Sequence, residues 1–257
     1  MKTKPWWEAP FSRRQFMARS AAFVAGGALF GFFESAVARV YRGAVPSQPN
    51  PGAVPQPVSF LKNYEFLTRE EVVFLNAAVS RLIPADELGP GALEAGCVLF
   101  IGRQLAGEYG RAESWYMQGP WPEGEAEQGF QSKMSPAVTY RAGMRAVDAH
   151  CRTRFDGKVF NALTFLQQDE LLTELEKGKV KLPDVSAKGF FALLLQNTQE
   201  GFFADPLYGG NRDMAGWKLI GFPGARYDHR AVVGKHGEPY RLPPVSILGR
   251  PAWSSKR

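Results

Sequence analysis

Three histidines, two cysteines and a series of helix-borne carboxylates are the side chains with which acid–base, nucleophilic or metal chemistry would have to be done in this chain. His150, His229 and His236 are scattered, and His150 sits beside Cys151, where neighbouring helical positions point about 100° apart and do not readily share a metal. No Glu-x-x-His pair accompanies the acids, so a di-metal bundle site has no ligand set, and they read as caps and solvated faces. Glu200 differs: it ends an apolar helical pattern just before a glycine-rich stretch, which it can tie down. Cys97 and Cys151 lie in no CxxC, CxxCH or zinc-type spacing, which leaves covalent haem, iron–sulfur and zinc readings without support. In an oxidising compartment the two can pair, closing a loop worth about 4 kcal/mol; as free thiols they behave as small hydrophobes, and a bond to a partner chain is a third option. Nucleotide-binding G-x-G-x-x-G, Walker, G-x-S-x-G and H-E-x-x-H motifs are absent.

What remains is the chemistry of recognition. Glu200 to Gly224, EGFFADPLYGGNRDMAGWKLIGFPG, sets six glycines among large aromatic residues. Gly209-Gly210-Asn211 admits positive φ or close approach of another backbone, and Asp205-Pro206 turns the chain away from the helix before it. A second loop, from Glu108 to Ser135, carries Trp115, Tyr116 and Trp121 in a Gly- and Pro-rich setting. Such aromatics either pack on their own helices or form a partner surface, where Trp, Tyr and Arg dominate binding energy. The candidate partner-binding residues are Trp121, Tyr208, Gly209, Gly210, Asn211, Arg212 and Trp217.

Helices must position these loops. Thr68-Arg69-Glu70-Glu71 is a capping box ahead of Val72, Val73, Leu75, Ala78, Val79, Leu82 and Ile83, and Pro84 follows. A second helix is predicted from Ala92 to about Gly107, with Leu93, Cys97, Phe100, Ile101 and Leu105 on its apolar side. Pro136 opens a third, over Ala137–Phe155. Thr164 caps a fourth with Leu166, Leu171, Leu172 and Leu175 facing the core, and Ser186 caps a fifth from Ala187 to about Phe203. The expectation is a mainly α, irregular helical domain with long Gly- and aromatic-rich loops over 60–257, ending in an irregular tail from Tyr240 that can act as a strap.

Ahead of it, Ser12-Arg13-Arg14-Gln15-Phe16-Met17, a glycine-containing apolar run and Ala36-Val37-Ala38 follow the order of a twin-arginine export signal over 1–38. Arg13, Arg14 and Phe16 form the signal, and cleavage is expected after Ala38, with Ala36 as the other small residue. The apolar run is too short for a bilayer span of about 20 residues. Residues 39–59 hold five prolines and form an extended segment, either a tether or a strap along a partner. The chain carries +6, but the leader holds five of its 31 Lys/Arg and two of its 25 acids, which leaves +3 elsewhere and no basic run, an argument against nucleic acid as a partner. With 45% hydrophobic and 22% charged residues, the chain is of the ordinary globular class.

The run Ala204-Asp205-Pro206-Leu207-Tyr208-Gly209-Gly210-Asn211, with Gly216-Trp217-Lys218 and Gly221-Phe222-Pro223-Gly224, resembles the signature of the gluconate 2-dehydrogenase subunit 3 family over roughly Phe66–Gly224. The resemblance implies a cofactor-free, non-catalytic small subunit of a membrane-associated dehydrogenase. In that setting a large FAD-containing subunit performs the oxidation and a multihaem cytochrome c carries haem c and passes electrons onward. It further implies that Arg13 and Arg14 recruit the twin-arginine translocase for both chains, which places the complex in the periplasm at the inner membrane. The rival readings are a stand-alone exported periplasmic enzyme, with a site built from residues such as Glu200, Arg212 and His229, and an exported binding protein.

Overall fold

The computed structural model describes residues 66–121, 124–125, 132–226, 228–230, 232–238, 240, 242–247 and 249. The export-signal residues Arg13, Arg14, Phe16, Ala36 and Ala38 and the Pro-rich segment 39–59 lie outside the described residues. Among the described residues seven α-helices carry the fold: α1 Arg69–Leu82, α2 Cys97–Ala106, α3 Glu108–Arg111, α4 Pro136–Arg154, α5 Phe165–Glu176, α6 Ala187–Phe203 and α7 Ala215–Ile220. Short 3-10 turns lie at Phe160–Ala162, Pro206–Tyr208 and Arg212–Met214. Among the described residues there is no strand, only isolated bridges such as Gly224 with Val245.

Helix starts follow local chemistry. At α1 the Thr68 hydroxyl accepts from the Glu71 N–H at 3.3 Å while the Glu71 carboxylate accepts from the Thr68 N–H at 2.9 Å. Thr164 and Gln167 repeat the box at α5, and the Ser186 hydroxyl accepts from the Gly189 N–H at α6. The second helix starts later than its apolar pattern predicts, at Cys97 rather than Ala92, because Gly96 takes a left-handed φ of 79°. Residues 92–96 form turns instead, with the Glu94 carboxylate accepting from the Gly91 N–H.

α6 is the central element and packs against α1, α2, α4, α5 and α7. Its Phe190 is fully buried between Phe74 of α1, at 6.4 Å between ring centroids, and Tyr140 of α4, edge-on at 6.0 Å. Gly143 of α4 leaves the space for that ring. Fully burying a side chain of this kind stabilises by roughly 1.5–3 kcal/mol. At one edge Arg81 holds Asp169 bidentately at 2.7 and 2.6 Å and lies over the Phe165 ring, joining α1 to α5. Leu166 is 76% exposed, which corrects its predicted core position: the face of α5 that turns inward is Gln168, Leu171, Leu172 and Leu175.

A polar network crosses the same core. Asn197 of α6 accepts the Tyr140 hydroxyl at 3.0 Å, and its amide donates to the Tyr109 hydroxyl and to the Glu200 carboxylate, each at 2.9 Å. Burial pushes the Tyr109 phenol up to about 12 and the Tyr140 phenol well above its ordinary range, so both stay neutral donors at physiological pH.

Candidate functional site

The glycine-rich loop leaves α6 at Ala204 and is fastened to that helix by the residues that make it recognisable. Asn211, fully buried with φ 46°, donates its amide to the Ala204 carbonyl at 2.8 Å and accepts the Gly216 N–H at 2.8 Å. The Trp217 indole N–H donates to the Phe203 carbonyl at 2.7 Å, which satisfies one of the orphan carbonyls at the end of α6. A side-chain carbon on Gly210 would lie 2.1 Å from the Gly201 carbonyl oxygen, and one on Gly216 would lie 2.1 Å from that of Phe202. Both positions require glycine because the loop backbone rests directly on the backbone of α6.

Asp205 fastens the far side. Its carboxylate accepts the Leu207 N–H at 3.0 Å, the Ser246 hydroxyl at 2.8 Å and the Ile247 N–H at 2.8 Å. The tail therefore straps onto the loop of its own chain, where Val245 also pairs with Gly224 and its carbonyl accepts the Ala225 N–H. Asp213 and Met214 hold left-handed φ values of 56°, each costing about 1 kcal/mol, and persist because these fastenings on both sides over-determine the loop.

The predicted partner residues divide into two sets. Trp217 is 5% exposed, with its indole bonded to Phe203 and its ring edge-on to Phe222 at 5.2 Å, so it holds the loop from within. Asn211 and Gly210 are buried as well, so in the chain by itself these three residues lie on the inner side of the loop. Tyr208, 49% exposed, and Arg212 stay on the surface, with Gly209 half-buried between them. Trp121 is half-buried in the other loop, where Trp115 packs edge-on to Tyr109 at 5.6 Å. Sequence reasoning missed Arg103, an exposed α2 residue whose guanidinium lies against Gly209, and exposed Leu207. No local pattern distinguishes Arg103 from any other charged helix residue.

The candidates for chemistry do not come together. Glu200 accepts from Gln196 at 2.8 Å and from Asn197, both on its own helix, so the loop is tied by Asp205 and Asn211 instead. His229 pairs with the Arg226 carbonyl and stacks near Tyr240. Among the described residues no hydrogen bond or ion pair joins Glu200, Arg212 and His229, and no group of three or more His, Cys, Asp or Glu is placed to hold a metal. Cys97 and Cys151 are free and buried, and burial pushes both thiols up to about 12. Among the described residues no helix is long and apolar enough to cross a membrane.

Among the described residues these features define an all-α fold whose distinguishing segment is a self-locked glycine-rich loop with an exposed aromatic and cationic edge. The chain belongs to the gluconate 2-dehydrogenase subunit 3 family: that family's model matches residues 69–224, from the first residue of α1 to the last glycine of the loop. Searches of curated proteins and of solved structures returned no match.

Proposed function

We propose that this chain is the non-catalytic small subunit of a periplasm-facing, membrane-associated FAD-dependent dehydrogenase of the gluconate 2-dehydrogenase type. In this reading FAD belongs to a large flavoprotein subunit and haem c to a multihaem cytochrome, while this chain holds no cofactor. Its own work is assembly: it binds the folded flavoprotein and brings it to the twin-arginine translocase through Arg13 and Arg14. The observation that carries the reading is the match over residues 69–224 to a subunit of that complex. The exposed edge of the family's loop, Leu207, Tyr208 and Arg212, supports it as a surface for another protein.

The test is to co-express the flavoprotein subunit of a gluconate 2-dehydrogenase with the full chain carrying Arg13→Lys and Arg14→Lys, and to assay flavin-dependent gluconate oxidation in periplasmic, membrane and cytoplasmic fractions. Activity trapped in the cytoplasm is expected. Activity reaching the periplasm as in wild type would show that the flavoprotein travels independently and would overturn the export role.

A further inference from the structure

Several arginines of the helical body have an acidic partner: Arg81 holds Asp169, Arg141 lies near Glu71, and Arg154 pairs with Glu174. Arg103 and Arg212 are exposed, and neither guanidinium makes a hydrogen bond or ion pair among the described residues. They also border one spot. A side-chain carbon on Gly209 would lie 2.8 Å from Arg103 Nη1, and one on Gly96 would lie 3.6 Å from Arg212 Nη2 and 3.1 Å from the Gly209 carbonyl oxygen. Two glycines, one from the start of α2 and one from the loop, thus meet and seat a guanidinium each. The frame is rigid: the Arg212 N–H donates to the Ala95 carbonyl at 2.9 Å, and Gly209 caps the Pro206–Tyr208 turn with φ 101°.

Two exposed guanidiniums that border adjoining glycines, each without a hydrogen-bond or ion-pair partner among the described residues, present positive charge that an anion can satisfy. Guanidinium groups match a carboxylate bidentately, and the apolar neighbours Leu207 and Tyr208, next in the chain to Gly209, point to a protein surface as the source of that carboxylate. Anionic lipid surfaces are held by clusters of four or more basic residues, more than this site has. We propose that Arg103 and Arg212 form a two-guanidinium clamp for an Asp or Glu side chain on the flavoprotein subunit, with Leu207 and Tyr208 packing beside it. The clamp rests on the subunit reading given above and names the chemistry by which that subunit is recognised.

The experiment co-expresses the full, tagged chain with the flavoprotein subunit and measures co-purification and affinity at low and high salt. Wild type is expected to bind more weakly as salt rises. Arg103→Gln and Arg212→Gln are each expected to weaken binding about tenfold, and Arg103→Glu with Arg212→Glu at least about a hundredfold. Melting temperatures should match wild type, because neither guanidinium makes a hydrogen bond or ion pair among the described residues; should the double reversal melt early, the single Gln variants decide. If wild type co-purifies and the double reversal does so equally well, the clamp is overturned and the subunit reading stands. If wild type fails to co-purify, both are overturned. A double reversal that keeps the flavoprotein but loses binding to phosphatidylglycerol vesicles would assign the pair to lipid headgroups and overturn the clamp.

Discussion

Phe190 and Gly210 show two ways of holding a chain in place. In the helical body Phe190 is fully buried against Phe74 and Tyr140, whereas in the loop Gly210 occupies a place where any side chain would strike the Gly201 carbonyl. The body is built by what side chains fill, and the loop by what they leave out. Large-to-small changes should therefore break the body, and small-to-large changes the loop. A surface made this way is stiff without being bulky, which lets Tyr208 and Arg212 project from a fixed frame.

The largest expected effect follows from the body. Phe190→Ala should cost about 3–5 kcal/mol of global stability, read by urea unfolding, because it removes a ring of α6 that α1 and α4 close upon. A loss below about 1 kcal/mol would show that α6 is not the centre of the core. The loop comes next. Gly210→Ala should cost about 2 kcal/mol, since the added carbon meets backbone that no rotamer change can move away. Hydrogen exchange should rise first between 204 and 224 and in the tail, with α1 and α5 still protected. Loss of protection in all helices at once would erase the distinction between the two regions.

The body was legible in the sequence because its signals are local. Thr68 with Glu71, Thr164 and Ser186 announce helix starts through side chains a few residues apart, and the structure places the helices there. Gly96 shifted the start of α2 because a glycine inside an apolar pattern is readable as helix until a left-handed φ is known. The loop was legible as a special segment, but its inside and outside were not. Trp217 and Tyr208 are both large aromatics beside glycines; only the Phe203 carbonyl, which needs an N–H at that point, draws Trp217 inward. Arg103 went unseen for a related reason. Its significance comes from Gly209, distant in sequence, where a missing side chain makes room for it.

The smallest expected effect tests how the loop and tail are joined. Asp205 bonds Leu207 and Ser246 through one oxygen and the Ile247 N–H through the other. Asp205→Asn keeps the shape and the first acceptor but sets an amide N–H₂ where the second oxygen was, donor against donor at Ile247. The expected cost is about 1 kcal/mol, the net worth of a hydrogen bond of this kind. Because the Gly224 and Val245 pairing remains, the tail should loosen only from Ser246 onward, seen as faster exchange at the Ile247 amide and earlier proteolysis after it. Protection at the Gly216 amide should hold, since its bond to the Asn211 side chain and that side chain's bond to the Ala204 carbonyl do not involve the tail. Should Gly216 lose protection together with Ile247, the strap and the loop would be one cooperative unit, and the loop's frame would depend on the tail as well as on α6.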